Sequence, residues 1–203
     1  MTRSVVSPLA GLMAAVALLC ATANAAEIEG VRIDEKIAAP GGQQLVLNGA
    51  GVRTKLAFMK LYVGALYLAA KKVDAEEIIK DVGAKRIAMH VLADELTAKD
   101  LTASLNNAIA ANHIPAELAL IEGRLRDLNR MMNAVGVLKK GATVVLDYVP
   151  SSGTRISING EEKLVIKGDD FFQAMLRIWI GKKPVDGGLR RAMLGDSSGF
   201  RLF

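Results

Sequence analysis

The sequence predicts an α+β fold, with helices segregated onto an antiparallel sheet, and three observations lead there. First, Leu61–Ala69 is a strand with two apolar faces. Leu61, Val63, Ala65 and Tyr67 point one way, and Tyr62, Gly64, Leu66 and Leu68 point the other. A half-exposed strand would alternate apolar and polar residues, so this one is covered on both sides. Second, strand segments follow one another directly in the chain, and Asn159-Gly160 marks a hairpin between Thr154–Ile158 and Lys163–Lys167. Third, the two longest helical patterns come consecutively and do not alternate with strands, which argues against a doubly wound fold.

Taken in order, Glu27–Ile37 is an expected strand, closed by a turn at Pro40-Gly41-Gly42. Gly49–Gly51 reads as a tight turn leading into a strand at Val52–Met59, which neighbours Leu61–Ala69. Asp74 suits the N-cap of a short helix, Ala75–Asp81, and Lys85–Leu92 is the next strand. Thr97 with Asp100 resembles a capping box opening a helix to about Ala111, with Leu101, Leu105 and Ala108 in one stripe. Pro115 starts a longer helix carrying Leu118, Ile121, Leu125, Leu128, Met132 and Val135; its charged face, with Glu122, Arg126, Asp127 and Arg130, is a solvated one. Thr143–Val149 is a strand. After the Asn159-Gly160 hairpin, Asp169 or Asp170 caps a helix with Phe172, Met175, Leu176 and Trp179, and Asp186–Leu194 forms a last helix before Gly195.

A chain of 203 residues that is 51% hydrophobic can bury one good core, so one domain is expected, at residues 26–195. Residues 1–25 read as a secretory signal peptide: Arg3 supplies the positive start, Leu9–Leu19 the short apolar run, and Ala23-Asn24-Ala25 the cleavage site. Leu19 before Cys20 speaks against a lipid anchor. Cys20 is the only cysteine and leaves with the signal, so the mature chain has no disulfide and no thiolate chemistry. Losing Arg3 lowers the formal charge from +5 to +4, and the scattered basic residues do not suggest nucleic-acid binding. No second apolar stretch is long enough to span a bilayer, so the mature protein is expected to be soluble and secreted, in the periplasm. The tail, residues 196–203, is expected to be disordered.

Ordinary catalytic chemistry is scarce. His90 and His113 are the only histidines, and no metal-ligand spacing accompanies them. There is no Gly-x-Ser-x-Gly elbow, and Gly49-Ala50-Gly51 lacks the helix and Lys-Ser/Thr of a phosphate loop. No metal or cofactor is expected. Arg53 stands out, at the start of a strand beside the most buried strand of the chain. It is either a rim charge in water or an anion-binding group at the mouth of a cavity.

Gly49-Ala50-Gly51-Val52-Arg53, with Phe58–Leu68 behind it, resembles the opening signature of the chalcone isomerase-like family. Thr143–Pro150, the Asn159-Gly160 hairpin, Phe172–Gly181 and Pro184-Val185-Asp186 with Leu189 and Leu194-Gly195 follow in the order of its secreted bacterial branch. The resemblance implies an open-faced β-sandwich: a large antiparallel sheet, helices on one face, a few strands on the other, and a ligand cleft between sheet and helices. In the plant isomerases an arginine at the Arg53 position holds the substrate's anionic oxygen. Their threonine in the next strand falls at Tyr62, and their helix tyrosine and asparagine fall near Leu101 and Ala108. Three of four polar partners are therefore changed. The family's non-catalytic branch uses the same arginine on a fatty-acid carboxylate.

The resemblance thus implies a binding protein for a fatty acid or similar amphiphilic anion, held by Arg53; Tyr62, Tyr67 and Lys60 are candidate neighbours by their nearness in sequence. The alternatives are an isomerase of the chalcone type and an envelope structural or partner-binding protein. The export expectation is directly testable. Intact-mass analysis of protein from a periplasmic or extracellular fraction should show a chain beginning at Ala26, whereas full-length chain recovered from the cytosol would contradict it.

Overall fold

The structure, a computed structural model, describes residues 25–56 and 58–196. The expected signal peptide up to Asn24 and the tail beyond Asp196 lie outside the described residues. Five strands come first: β1 (Ala25–Ile28), β2 (Val31–Asp34), β3 (Lys36–Ala38), β4 (Gln44–Lys55) and β5 (Met59–Leu68). Helix α1 (Ala75–Lys80), β6 (Lys85–Val91) and β7 (Glu95–Thr97) lead to the long helices α2 (Ala98–Asn112) and α3 (Pro115–Val135). The chain closes with β8 (Val137–Lys139), β9 (Thr143–Val149), β10 (Gly153–Ile158), β11 (Glu161–Ile166), α4 (Asp169–Ile180) and α5 (Gly187–Met193).

Seven strands form one antiparallel sheet in the order β11-β10-β9-β6-β5-β4-β3, and the expected α+β open-faced sandwich is what is observed. β5 lies inside it and is buried from Leu61 to Leu68. Its two faces feed two cores. Tyr62, Leu66 and Leu68 join the larger one, under the helices, with Ile109, Leu128, Phe172 and Trp179. Val63, Ala65 and Tyr67 join the smaller one, which the β1–β2 hairpin covers with Ile28 and Ile33. Local signals set most boundaries. The Thr97 hydroxyl accepts the Asp100 N–H at 3.1 Å, Asp74 accepts that of Glu77 at 2.7 Å, and Asn159 and Gly160 take φ of 52° and 80° as the hairpin turn requires.

Several expectations are corrected. The single strand expected over Glu27–Ile37 is broken by a two-residue turn, Glu29-Gly30, with φ of 52° and 74°, which folds β1 onto β2. Gly168 is the N-cap of α4, not Asp169 or Asp170; those two lie in its first turn, where Asp170 pairs with Arg124 of α3 at 2.5 Å. β7 and β8 pair as a small separate sheet that the sequence did not suggest. The last hairpin strand starts at Glu161, not Lys163.

The largest correction concerns Gly49–Gly51, which is no turn. These residues lie in mid-β4, and the chain reverses instead between Lys55 and Met59. They are small because α5 rests directly on the strand. A Cβ on Gly49 would lie 1.9 Å from the Ala192 carbonyl oxygen, and one on Gly51 would lie 2.7 Å from the Ala192 Cβ. Gly64, opposite Gly51 on β5, faces Met193 and Leu189 in the same way. Side chains then fix both ends of the helix. Asn48, bulged out of the β4 ladder, donates from Nδ2 to the Met193 carbonyl at 2.7 Å. Asp186, the α5 N-cap, accepts the N–H groups of Leu189 and Thr54, both at 2.9 Å.

Two glycine substitutions separate close packing from mere flexibility. Gly49→Ala forces the α5 backbone off the sheet and should cost about 3 kcal/mol, the upper end of overpacking penalties. Gly123→Ala, on an exposed stretch of α3 with only Arg126 Nη2 nearby at 3.7 Å, should stabilise by about 0.5–1 kcal/mol. Denaturant melts of both variants check this, and equal effects of one sign would contradict it.

Candidate functional site

Arg53 and Tyr62 are cross-strand partners, so their side chains leave β4 and β5 side by side on the helix-covered face. Gly49, Gly51 and Arg53 recur at every second residue along β4. The glycines clear the floor for α5, and the arginine emerges where that helix begins. Its guanidinium carbon lies 5.6 Å from the Tyr62 ring centroid, within cation–π range. Nη2 donates to the Ser104 hydroxyl of α2 at 2.7 Å. The Nε–H is buried and finds no acceptor among the described residues. Asp186, whose charge is felt at Tyr62, has both carboxylate oxygens engaged by backbone amides.

Tyr62 is fully enclosed. Its hydroxyl accepts the Trp179 Nε1–H of α4 at 3.0 Å. Burial pushes its pKa up, and the neighbouring Arg53 charge only partly opposes this, so the phenol stays neutral at any ordinary pH. Trp179→Tyr62 and Arg53→Ser104 are thus two short polar links in an otherwise oily place. Around them lies a cavity of about 60 Å³, walled by Met89, Leu105, Leu128, Met132, Leu146 and Met175 among others. The β-sheet forms its floor, while α2, α3 and α4 supply the roof.

Of the four residues named from the sequence, this brings two together. Arg53 and Tyr62 both border the cavity. Lys60 does not: it is exposed on β5 and pairs with Glu29 at 2.7 Å, beside the β1–β2 turn. Tyr67 does not either. It lies on the opposite face, in the smaller core, and donates its hydroxyl proton to the Asp34 carbonyl at 3.0 Å. Both were named for nearness in sequence, but strand alternation sends Tyr67 away from Tyr62, and Lys60 sits at the turn end of the hairpin. Ser104 and Trp179 were missed as site residues. Ser104 falls three residues after Leu101, inside the apolar stripe of α2, and a hydroxyl there is a readable signal. Trp179 carried none beyond its place in the core-facing stripe of α4.

Residues 25–195 match a family model described as chalcone isomerase-like. The chain belongs to the chalcone isomerase-like family. Among solved structures, it is similar to the crystal structure of a fatty-acid binding protein from Arabidopsis thaliana. The TM-score is 0.63 at 14% identity, over 88% of this chain and all of that one. At that identity the likeness is one of fold. No curated protein matches the sequence. In this chalcone isomerase-like domain Arg53 lies on β4, and Leu101 and Ala108 lie on α2. Leu101 lines the cavity with hydrocarbon, and Ala108 is buried nearby. Neither holds or donates a proton. Among the described residues, no group of three or more His, Cys, Asp or Glu is placed to hold a metal.

Tyr62→Phe tests the inner polar link. It removes the acceptor of a buried indole N–H, which should cost about 1–3 kcal/mol of stability. It should also move the emission of Trp179, the single tryptophan, to shorter wavelength. A variant with wild-type stability and an unchanged spectrum would show that the link is not formed.

Proposed function

We propose that this protein binds a long-chain fatty acid, or an amphiphilic anion of the same build, without chemically changing it. The carboxylate lies on Arg53 and the chain among the apolar side chains between sheet and helices. One observation carries this reading: a buried guanidinium N–H without an acceptor among the described residues, on the wall of an apolar cavity. Removing a cation from water is costly unless its donors are paired. A carboxylate pairs Nε and one terminal nitrogen together, in the planar fork that suits arginine. The Arabidopsis protein of the same fold, described as fatty-acid binding, supports the choice of ligand class. With Leu101 and Ala108 in place of proton-handling groups, nothing in the cavity favours the isomerase alternative.

The cavity is too small for the whole ligand as it stands. Sites that enclose a drug-sized molecule run roughly 300–1,000 Å³, against about 60 Å³ here. The acyl chain therefore enters by displacing part of the roof. α2 is the element that yields, since only Ala98, Ala108 and Ile109 of its fifteen residues are buried. Met89, Met132 and Met175 are unbranched and adapt their shape readily. We further propose that binding takes place outside the cytoplasm, in a secreted bacterial member of the family, as the Ala23-Asn24-Ala25 site suggests.

Titrating a long-chain fatty acid into delipidated protein, followed by Trp179 fluorescence, tests the reading. Arg53→Ala should weaken binding by about 2–5 kcal/mol, much of it from leaving the carboxylate unpaired, and Arg53→Lys should restore only part. A methyl ester binding as tightly as the free acid, or wild-type affinity in Arg53→Ala, would remove Arg53 from the site.

A further inference from the structure

The β4–β5 hairpin ends in apolar side chains that nothing among the described residues covers. Leu56 is 69% exposed, Phe58 76% and Met59 43%. Single exposed hydrophobic residues need no explanation, but three at one apex do. Leu56 also takes φ of 54°, a left-handed backbone that favours glycine or asparagine. A residue suited to the turn would have been small and polar, and the one present is large, apolar and in water. Basic residues flank the apex on both strands. Lys55 pairs with Met59 across the ladder and Lys60 with Thr54, so one ammonium stands on each shoulder. Lys60 is neutralised by Glu29, which leaves Lys55 as the net charge.

We propose that this apex is a membrane-docking tip, which inserts into the interfacial layer of a lipid bilayer and brings the Arg53 cavity to the level of the headgroups. The proposal rests on the fatty-acid reading for its purpose, since it supplies the route by which a membrane-dissolved acid reaches the site. Its geometry stands apart from that reading. Arg53 precedes Leu56 by three residues, roughly 10 Å of extended strand. Interfacial apolar groups enter to a depth of about 5–10 Å. With Leu56 and Phe58 immersed, Lys55 meets the phosphates and Arg53 sits just above them, where a fatty-acid carboxylate also lies. A second copy of the chain is a poorer occupant. Three side chains on a protruding turn offer far less than the roughly 800 Å² per partner of a stable interface, whereas a bilayer accepts an isolated apex.

Sedimentation with vesicles of phosphatidylcholine, with and without phosphatidylglycerol, tests this on the full chain. Wild type should sediment with both kinds of vesicle, and more strongly with the anionic ones. Phe58→Asp should lower partitioning about tenfold or more. Lys55→Glu should lower it several-fold on anionic vesicles only. Both positions are exposed, so melts of the variants should match wild type. In the absence of vesicles, Phe58→Asp should bind soluble fatty acid as wild type does, read at Trp179, which separates docking from ligand binding. Wild-type protein that stays in the supernatant at every composition overturns the proposal. So does a Phe58→Asp variant that sediments unchanged, or one whose only defect is loss of a concentration-dependent dimer.

Discussion

The rest of the structure depends on the direct contact between α5 and the sheet. Most helices rest on a sheet through a layer of side chains; here Gly49, Gly51 and Gly64 remove that layer, and helix and strand backbones meet. The contact is short, and it is fixed at both ends by polar groups, Asn48 buried and Asp186 half-buried. Asn48 holds the Met193 carbonyl, and Asp186 joins the start of α5 to the Thr54 amide. Each of those groups would be costly to bury alone, so the pairing specifies one position of the helix. Because α5 follows α4 after a short connection, its seating also fixes where Trp179 stands.

That seating explains how a half-buried arginine comes to have its Nε fully enclosed. The glycine strip ends at Arg53, one residue before the Thr54–Asp186 tie. α5 covers the strand up to that point, and Arg53 itself reaches across to Ser104 of α2. The guanidinium lies in the gap between the two helices, with the Tyr62 ring beside it and Ser104 across from it. Neither is a charge. A neutral hydroxyl and a ring face solvate a cation only partly, and the buried Nε–H finds no acceptor among the described residues. An acid that arrives with its own apolar tail supplies what is missing on both counts. The polar groups of the cavity are few and fixed, and its apolar walls are rich in methionine, so the head of a ligand is specified more closely than its tail.

Much of this was legible in the sequence, where the signals are local. The doubly apolar strand, the Thr97–Asp100 cap and the Asn159-Gly160 hairpin each depend on residues close in the chain. Arg53 was legible too, as a charge beside the most buried strand. What could not be read was the meaning of the glycines. Gly49 and Gly51 serve equally well for a turn or for a close approach, and the approaching helix lies 145 residues away at the Asn48–Met193 bond. Once the turn was placed there, β4 was cut short and its bulge and reversal went unseen. Tyr67 and Lys60 failed for another reason. They share a strand with Tyr62, but neighbours on a strand do not share a face, and the end of a hairpin does not share its middle's burial. Ser104 was within reach: a hydroxyl in the stripe of Leu101, Leu105 and Ala108 has to find a partner once α2 packs.

On the proposed function, Arg53 is an incomplete cation until an acid arrives. Carbon-13 NMR of a fatty acid labelled at its carboxyl carbon, bound to the protein and titrated with acid, tests this at the atom concerned. The bound carboxyl should stay ionised well below about pH 4, where an unperturbed carboxyl is already half protonated. This resistance should be lost in Arg53→Gln. A bound carboxyl that titrates as it does in water, or one whose titration is the same in both proteins, would contradict it.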